Sequence, residues 1–156
     1  MIKIKIIAIG KDKDKWVTEG QKHFEKLLSR YAKIESIHIP SPKLSPSLTP
    51  LEIKKKESEL FSKQIGKFKY IALVDNGIYF NSIAFSKQLE KLITTSSGQL
   101  IFIIGGAYGI DEKLLSQASY KLSLSPLTFS HQLVRLVLFE QLFRAFSISN
   151  NTDYHK

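Results

Sequence analysis

The sequence predicts an α/β protein whose mostly parallel sheet carries helices on both faces. Two observations carry that reading. Short apolar segments alternate with amphipathic helical ones from end to end, the pattern of repeated strand–helix units. Met1 to Ile9 and Leu100 to Ile104 run into continuously apolar stretches, as strands covered on both sides do. The 156 residues, 43% of them hydrophobic, are expected to form one domain, 1–156.

The elements follow in order. Met1 to Ile9 is a strand, and Trp16, Gly20, Phe24, Leu27 and Tyr31 recur at helical spacing, predicting a helix over roughly 14–31. Ile34, Ile37 and Ile39 mark a second strand. Pro40, Pro42, Pro46 and Pro50 then hold four of the five prolines, so 40–50 is an exposed loop. A charged helix at about 51–66 carries Lys54-Lys55-Lys56. Tyr70 to Val74 is a buried strand, and Asp75-Asn76-Gly77 is expected to turn it into the helix 82–95. After the strand Leu100 to Ile104 come a short helix at 111–118, a strand at 119–124, a loop from Ser125 to Ser130 and a last helix from about His131 to Phe146.

That last helix is apolar all round, with Leu133, Val134, Leu136, Val137, Leu138, Phe139, Leu142, Phe143 and Phe146 surrounding its axis. Such a helix is fully buried or covered by another chain, and a homodimer interface is the preferred explanation here. Helical rotation sets Arg135 among Gln132, Phe139, Leu142 and Phe146, where a guanidinium needs an anionic partner. Glu140 and Arg144, four residues apart, have the spacing of an ordinary helical ion pair.

Charge narrows the function. The chain has 23 Lys+Arg against 14 Asp+Glu, a net charge of +9. The excess is concentrated in residues 1–70, which hold 16 basic against 8 acidic residues. Segregated positive charge points to a nucleic-acid partner. The chain has no cysteine, which excludes a disulfide framework, a thiolate nucleophile and a thiolate-bound metal. Lys3 and Lys5 interrupt the apolar stretch that a signal peptide needs. The longest uncharged run, Leu92 to Ile110, is broken by polar residues, so no membrane span is expected and the protein reads as cytoplasmic.

Gly105-Gly106-Ala107-Tyr108-Gly109 directly follows the most apolar strand, where open α/β sheets place their ligands. The spacing is neither the dinucleotide fingerprint nor a phosphate-binding loop. His23, His38, His131 and His155 form no pair with zinc-ligand spacing, so no metal is expected, and a nucleophile elbow is missing.

Three blocks carry a resemblance. Phe102-Ile103-Ile104-Gly105-Gly106-Ala107-Tyr108-Gly109, the run Leu122-Ser123-Leu124-Ser125-Pro126-Leu127-Thr128-Phe129-Ser130-His131-Gln132-Leu133-Val134-Arg135, and the ending Tyr154-His155-Lys156 closely resemble the bacterial ribosomal RNA large subunit methyltransferase H family, of the SPOUT superfamily. The resemblance spans the whole chain, with one departure: the family commonly has proline where Ser130 stands, and a serine can cap the following helix.

This resemblance implies a C-terminal part threaded as a trefoil knot, a homodimer, and methylation by S-adenosylmethionine of N3 of a pseudouridine in a stem-loop of 23S ribosomal RNA in the ribosome. Carried onto this chain, the methyl donor is held by Leu73, Gly105, Gly106, Leu124, Ser125, Pro126, Leu127, Thr128 and Phe129. The candidate catalytic residues are His131, Arg135, Arg144, Tyr154 and His155, with Glu140 orienting Arg144. A site shared between subunits follows if tail and helix come from different copies. The alternative is a ribosome-associated RNA-binding protein without catalysis.

Overall fold

Alternation along the strands decides which helices cover which face. The computed structural model describes residues 1–42 and 45–156, so Lys43 and Leu44 of the proline-rich loop lie outside the described residues. In β1 (Ile2–Ile9), Ile4, Ile6 and Ala8 point to one side and Ile7 and Ile9 to the other, as the two-residue period requires. The same split recurs in β4 (Gln99–Ile104), with Leu100, Phe102 and Ile104 against Ile101 and Ile103.

Between them run α1 (Lys15–Leu28), β2 (Ala32–Ile39), α2 (Pro50–Ile65), β3 (Ile71–Ile78) and α3 (Ser82–Thr95). After β4 come α4 (Glu112–Gln117), β5 (Tyr120–Leu122) and α5 (His131–Ser149). The five strands pair in parallel in the order β2-β1-β4-β3-β5. Core residues of α1, α3 and α5 join one apolar layer, and those of α2 and α4 join the other, so both faces are covered as predicted.

Helix starts are set by local chemistry. Thr49 caps α2 with a capping box to Glu52, and Pro50 takes the first turn, where its missing N–H is not needed. Asn81 accepts from the Ala84 N–H at 2.8 Å to start α3. Ser130 accepts from the Leu133 N–H at 3.3 Å, so the departure from proline noted above is a working cap for α5.

Three expectations change. The first helix stops at Leu28, and Tyr31 lies beyond it, stacked on Phe146 with ring centroids 5.3 Å apart. The strand from Tyr70 does not end at Val74: β3 continues to Ile78, and both Leu73 and Ile78 pair with Leu122. Val74 to Gly77 therefore form an irregularity inside the strand. Gly77 is required there because a Cβ would stand 2.8 Å from the backbone of Lys121 and Leu122.

The third change concerns α5, which runs past Phe146 to Ser149. It lies between α1 and α3, with Leu138, Phe139, Leu142, Phe143 and Phe146 buried. Gly20 of α1 lets the two helices meet, since a Cβ there would come within 2.8 Å of Leu136. Leu133, Val134, Leu136 and Val137 stay half-buried, so α1 and α3 cover part of the apolar girth of α5 and not all of it. No helix among the described residues is long and apolar enough to cross a membrane.

Candidate functional site

The strand ends and two loops build a cavity of about 570 Å³ beyond the carboxyl ends of β3, β4 and β5. The turn after β4 folds back on itself, with the Gly109 N–H donating to the Gly106 carbonyl at 3.1 Å. At Gly105 a Cβ would stand 2.8 Å from Ile110 and 2.9 Å from the Gly109 backbone, so the turn closes only on glycine. The segment after β5 is tied to β3. The Ser123 hydroxyl donates to the Asp75 carbonyl at 2.9 Å, and the Thr128 hydroxyl donates to the Asp75 carboxylate at 2.8 Å. Ser125 accepts from the Leu127 N–H at 3.0 Å.

Eight of the nine predicted cofactor-binding residues line this cavity; Pro126 does not. Asp75, Asn76 and Glu112 also line it and were not foreseen. The irregularity in β3 is what carries Asp75 and Asn76 there, and an Asn-Gly pair read as a turn hides it. The volume falls within the range of small-molecule sites, which are mostly apolar with a few placed polar groups. Leu73, Ile104, Leu122, Leu124 and Val134 supply apolar wall, the loop backbones supply donors and acceptors, and the two carboxylates suit a cationic ligand. These residues fit an adenosyl sulfonium compound.

His131 stands at the mouth, exposed at the first position of α5. It also borders a second cavity of about 340 Å³, beyond the end of β1, where Arg135 and Glu57 lie. Arg135 is not free. Its guanidinium pairs with Asp12 at 2.7 Å, with side chains 3% and 1% exposed, and donates to the carbonyls of Gly10 and Ile9. Gln21 completes the shell by donating to the other Asp12 oxygen at 2.8 Å. The anionic partner that the sequence demanded for Arg135 is therefore within the same chain.

The remaining predicted residues gather elsewhere. Glu140 accepts from the Arg144 Nε–H at 3.0 Å and from the Tyr154 hydroxyl at 2.9 Å. Arg144 lies over the Tyr154 ring, 4.7 Å from its centroid, and its Nη1 is 3.3 Å from His155 Nδ1. Hydrogen bonding to Glu140 raises the Arg144 pKa, so the guanidinium stays charged; burial, and then Glu140, raises that of Tyr154. From His131 to Arg144 is 13 residues of one helix, about 20 Å at 1.5 Å per residue. One chain therefore presents a cavity at one end of α5 and a cationic–aromatic cluster at the other.

Lys11 and Lys13 border the second cavity and Lys54 borders the first, so part of the N-terminal basic excess faces the site. No group of three or more His, Cys, Asp or Glu among the described residues is arranged to hold a metal ion.

A family model described as a predicted SPOUT methyltransferase matches residues 2–155. The ribosomal RNA large subunit methyltransferase H of Acetivibrio thermocellus is 39% identical over 159 residues, covering 99% of this chain and 100% of that one. The protein of the same name from Christiangramia forsetii is 40% identical over 153 residues, covering 97% and 98%. Among solved structures, the SpoU methyltransferase AviRb from Streptomyces viridochromogenes in complex with AdoMet aligns with a TM-score of 0.44 at 8% identity, over 90% of this chain and 56% of that one. At that likeness it carries no weight for the fold or the cofactor.

Proposed function

We propose, for a chain that belongs to the SPOUT methyltransferase family and within it to the ribosomal RNA large subunit methyltransferase H group, that it methylates N3 of a pseudouridine in a stem-loop of 23S ribosomal RNA, using S-adenosylmethionine. The observation that carries the reading is the 570 Å³ cavity, in which the glycine turn 105–109 and the loop 124–129 share one wall. When bound, the donor supplies an electrophilic methyl group on a sulfonium sulfur. Leu73, Gly105, Gly106, Leu124, Ser125, Leu127, Thr128 and Phe129 hold it, with Pro126 shaping the loop from outside the wall.

The protein's own residues then orient the nucleotide and manage its charge. A uracil-type ring that loses its N3 proton gains negative charge on the flanking carbonyls, and fixed cationic donors stabilise it. Arg144 is such a donor, clamped by Glu140 and Tyr154 and touching His155. The exposed His131 lies beside the donor cavity, and Arg135 acts as a positioning residue by tying the end of β1 to α5.

The separation of about 20 Å along α5 keeps Arg144 and His131 of one chain from acting on the same atom. The proposed site is therefore composite, with the tail cluster of one copy completing the cavity of another. The knotted threading and the homodimer that the family resemblance implies belong to the same proposal.

The test is transfer of a labelled methyl group from S-adenosylmethionine to ribosomes lacking the modification, followed by mapping. Label is expected on a single 23S pseudouridine, at N3. RNA binding without transfer of label would favour the non-catalytic alternative.

A further inference from the structure

The donor cavity leaves one buried carboxylate unused. Glu57 of α2 is 5% exposed and makes no ion pair among the described residues. Its carboxylate lies against the Gly106 backbone, and burial holds its pKa above the ordinary carboxylate range, with the Gly106 amide opposing that rise. The glycine turn sits directly on it: a Cβ at Gly106 would stand 2.6 Å from Glu57 Oε1. A buried carboxylate without an ion pair is a costly arrangement.

Glu57 lines the second cavity. The other titratable groups facing that cavity are Lys11 and Lys13 after β1, Tyr108 in the turn, and His131 and Arg135 on α5. Arg135 is committed to Asp12, whereas Lys11 and Lys13 are exposed at the rim. Exposed cations at the edge, an aromatic ring at the side and a buried acceptor make a site for a phosphorylated ring compound that carries an N–H. Gly106, Ala107, Tyr108 and His131 border both cavities, so a ring in the second lies against the donor in the first.

We propose that the second cavity receives the target base and that Glu57 accepts the proton of its ring imide during methyl transfer. The proposal rests on the methyltransferase reading above. In the step, the N–H bond breaks and its proton passes to a Glu57 oxygen. The nitrogen electron pair forms the bond to the methyl carbon, and the carbon–sulfur pair stays on sulfur. Glu57 returns its proton to water after the product leaves. An imide N–H is present in uracil and pseudouracil but not at N3 of cytosine, so the same carboxylate selects the base.

The experiment uses the full chain with Glu57→Gln and Glu57→Asp, reading thermal unfolding against pH, titration with S-adenosylmethionine, and single-turnover transfer to ribosomes. Because the folded carboxyl has a raised pKa, the folded state binds more protons than the unfolded one, and wild-type stability falls as pH rises through the window above 4.5. Glu57→Gln removes that dependence. It is expected to be at least as stable as wild type at neutral pH and to bind the donor unchanged. Transfer should fall by about 10²-fold or more, the usual contribution of a general base, and Glu57→Asp should recover part of it. Three results overturn the proposal: transfer at the wild-type rate, weakened donor binding, or a loss of stability at neutral pH, which would make Glu57 an anchor of the turn. A wild type that transfers no label overturns the methyltransferase reading, and this proposal with it.

Discussion

Removal of Tyr154, His155 and Lys156 is expected to lower methyl transfer by about 10²- to 10³-fold, the scale of losing a fixed donor to developing negative charge. The tail leaves Arg144 with Glu140 alone, without the Tyr154 ring beneath it or His155 beside it. Stability should change little, because Tyr154 is 39% exposed and meets Phe143, Arg144 and Glu140 at the end of α5. Donor titration should be unchanged, since the cavity is built from β3, β4, β5 and their loops. A composite site adds a second readout. A tail-deleted chain mixed with a Leu124→Trp chain, whose cavity is filled, forms mixed pairs with one intact site each. Random mixing should restore about a quarter of wild-type activity. Full activity after deletion refutes the tail's role, and no recovery on mixing refutes the shared site.

Arg135→Ala is expected to destabilise the protein by about 3–5 kcal/mol, since it strands the Asp12 carboxylate without its cation. The melting temperature should drop by roughly 10 °C, given the size of the chain. The loss falls on folding because Arg135 also holds the carbonyls of Ile9 and Gly10, which anchors the end of β1 to α5. Replacing both partners with apolar residues of similar volume, Arg135→Met with Asp12→Leu, should recover most of the stability. If Arg135→Ala melts with wild type and loses only activity, Arg135 is catalytic and its pairing with Asp12 is incidental.

These two residues also show what a sequence can and cannot reveal. The helical rotation that set Arg135 among Phe139, Leu142 and Phe146 was enough to demand an anion, because burial of a guanidinium follows from one element's own periodicity. It could not name Asp12, which is 123 residues away and meets Arg135 only when β1 and α5 share a sheet face. The same limit hid Glu57, which reads as one charge on a lysine-rich helix until Gly106 is laid over it. Gly77 misled for a related reason. An Asn-Gly pair signals a turn locally, but here the glycine answers to the backbone of β5, a neighbour in space. The all-round apolar pattern of α5 identified burial correctly; α1 and α3 supply part of the cover, and Leu133, Val134, Leu136 and Val137 stay half-buried. By contrast, the glycine turn was legible because it follows directly on the apolar run of β4, and the loop before α5 through its resemblance to the family's own block.

Isothermal titration of the folded protein with S-adenosylmethionine tests the donor cavity most directly. A saturable heat with one site per chain, lost in Leu124→Trp, is the expected result. A folded sample that releases no heat, or a filled cavity that binds as well as the open one, would contradict it.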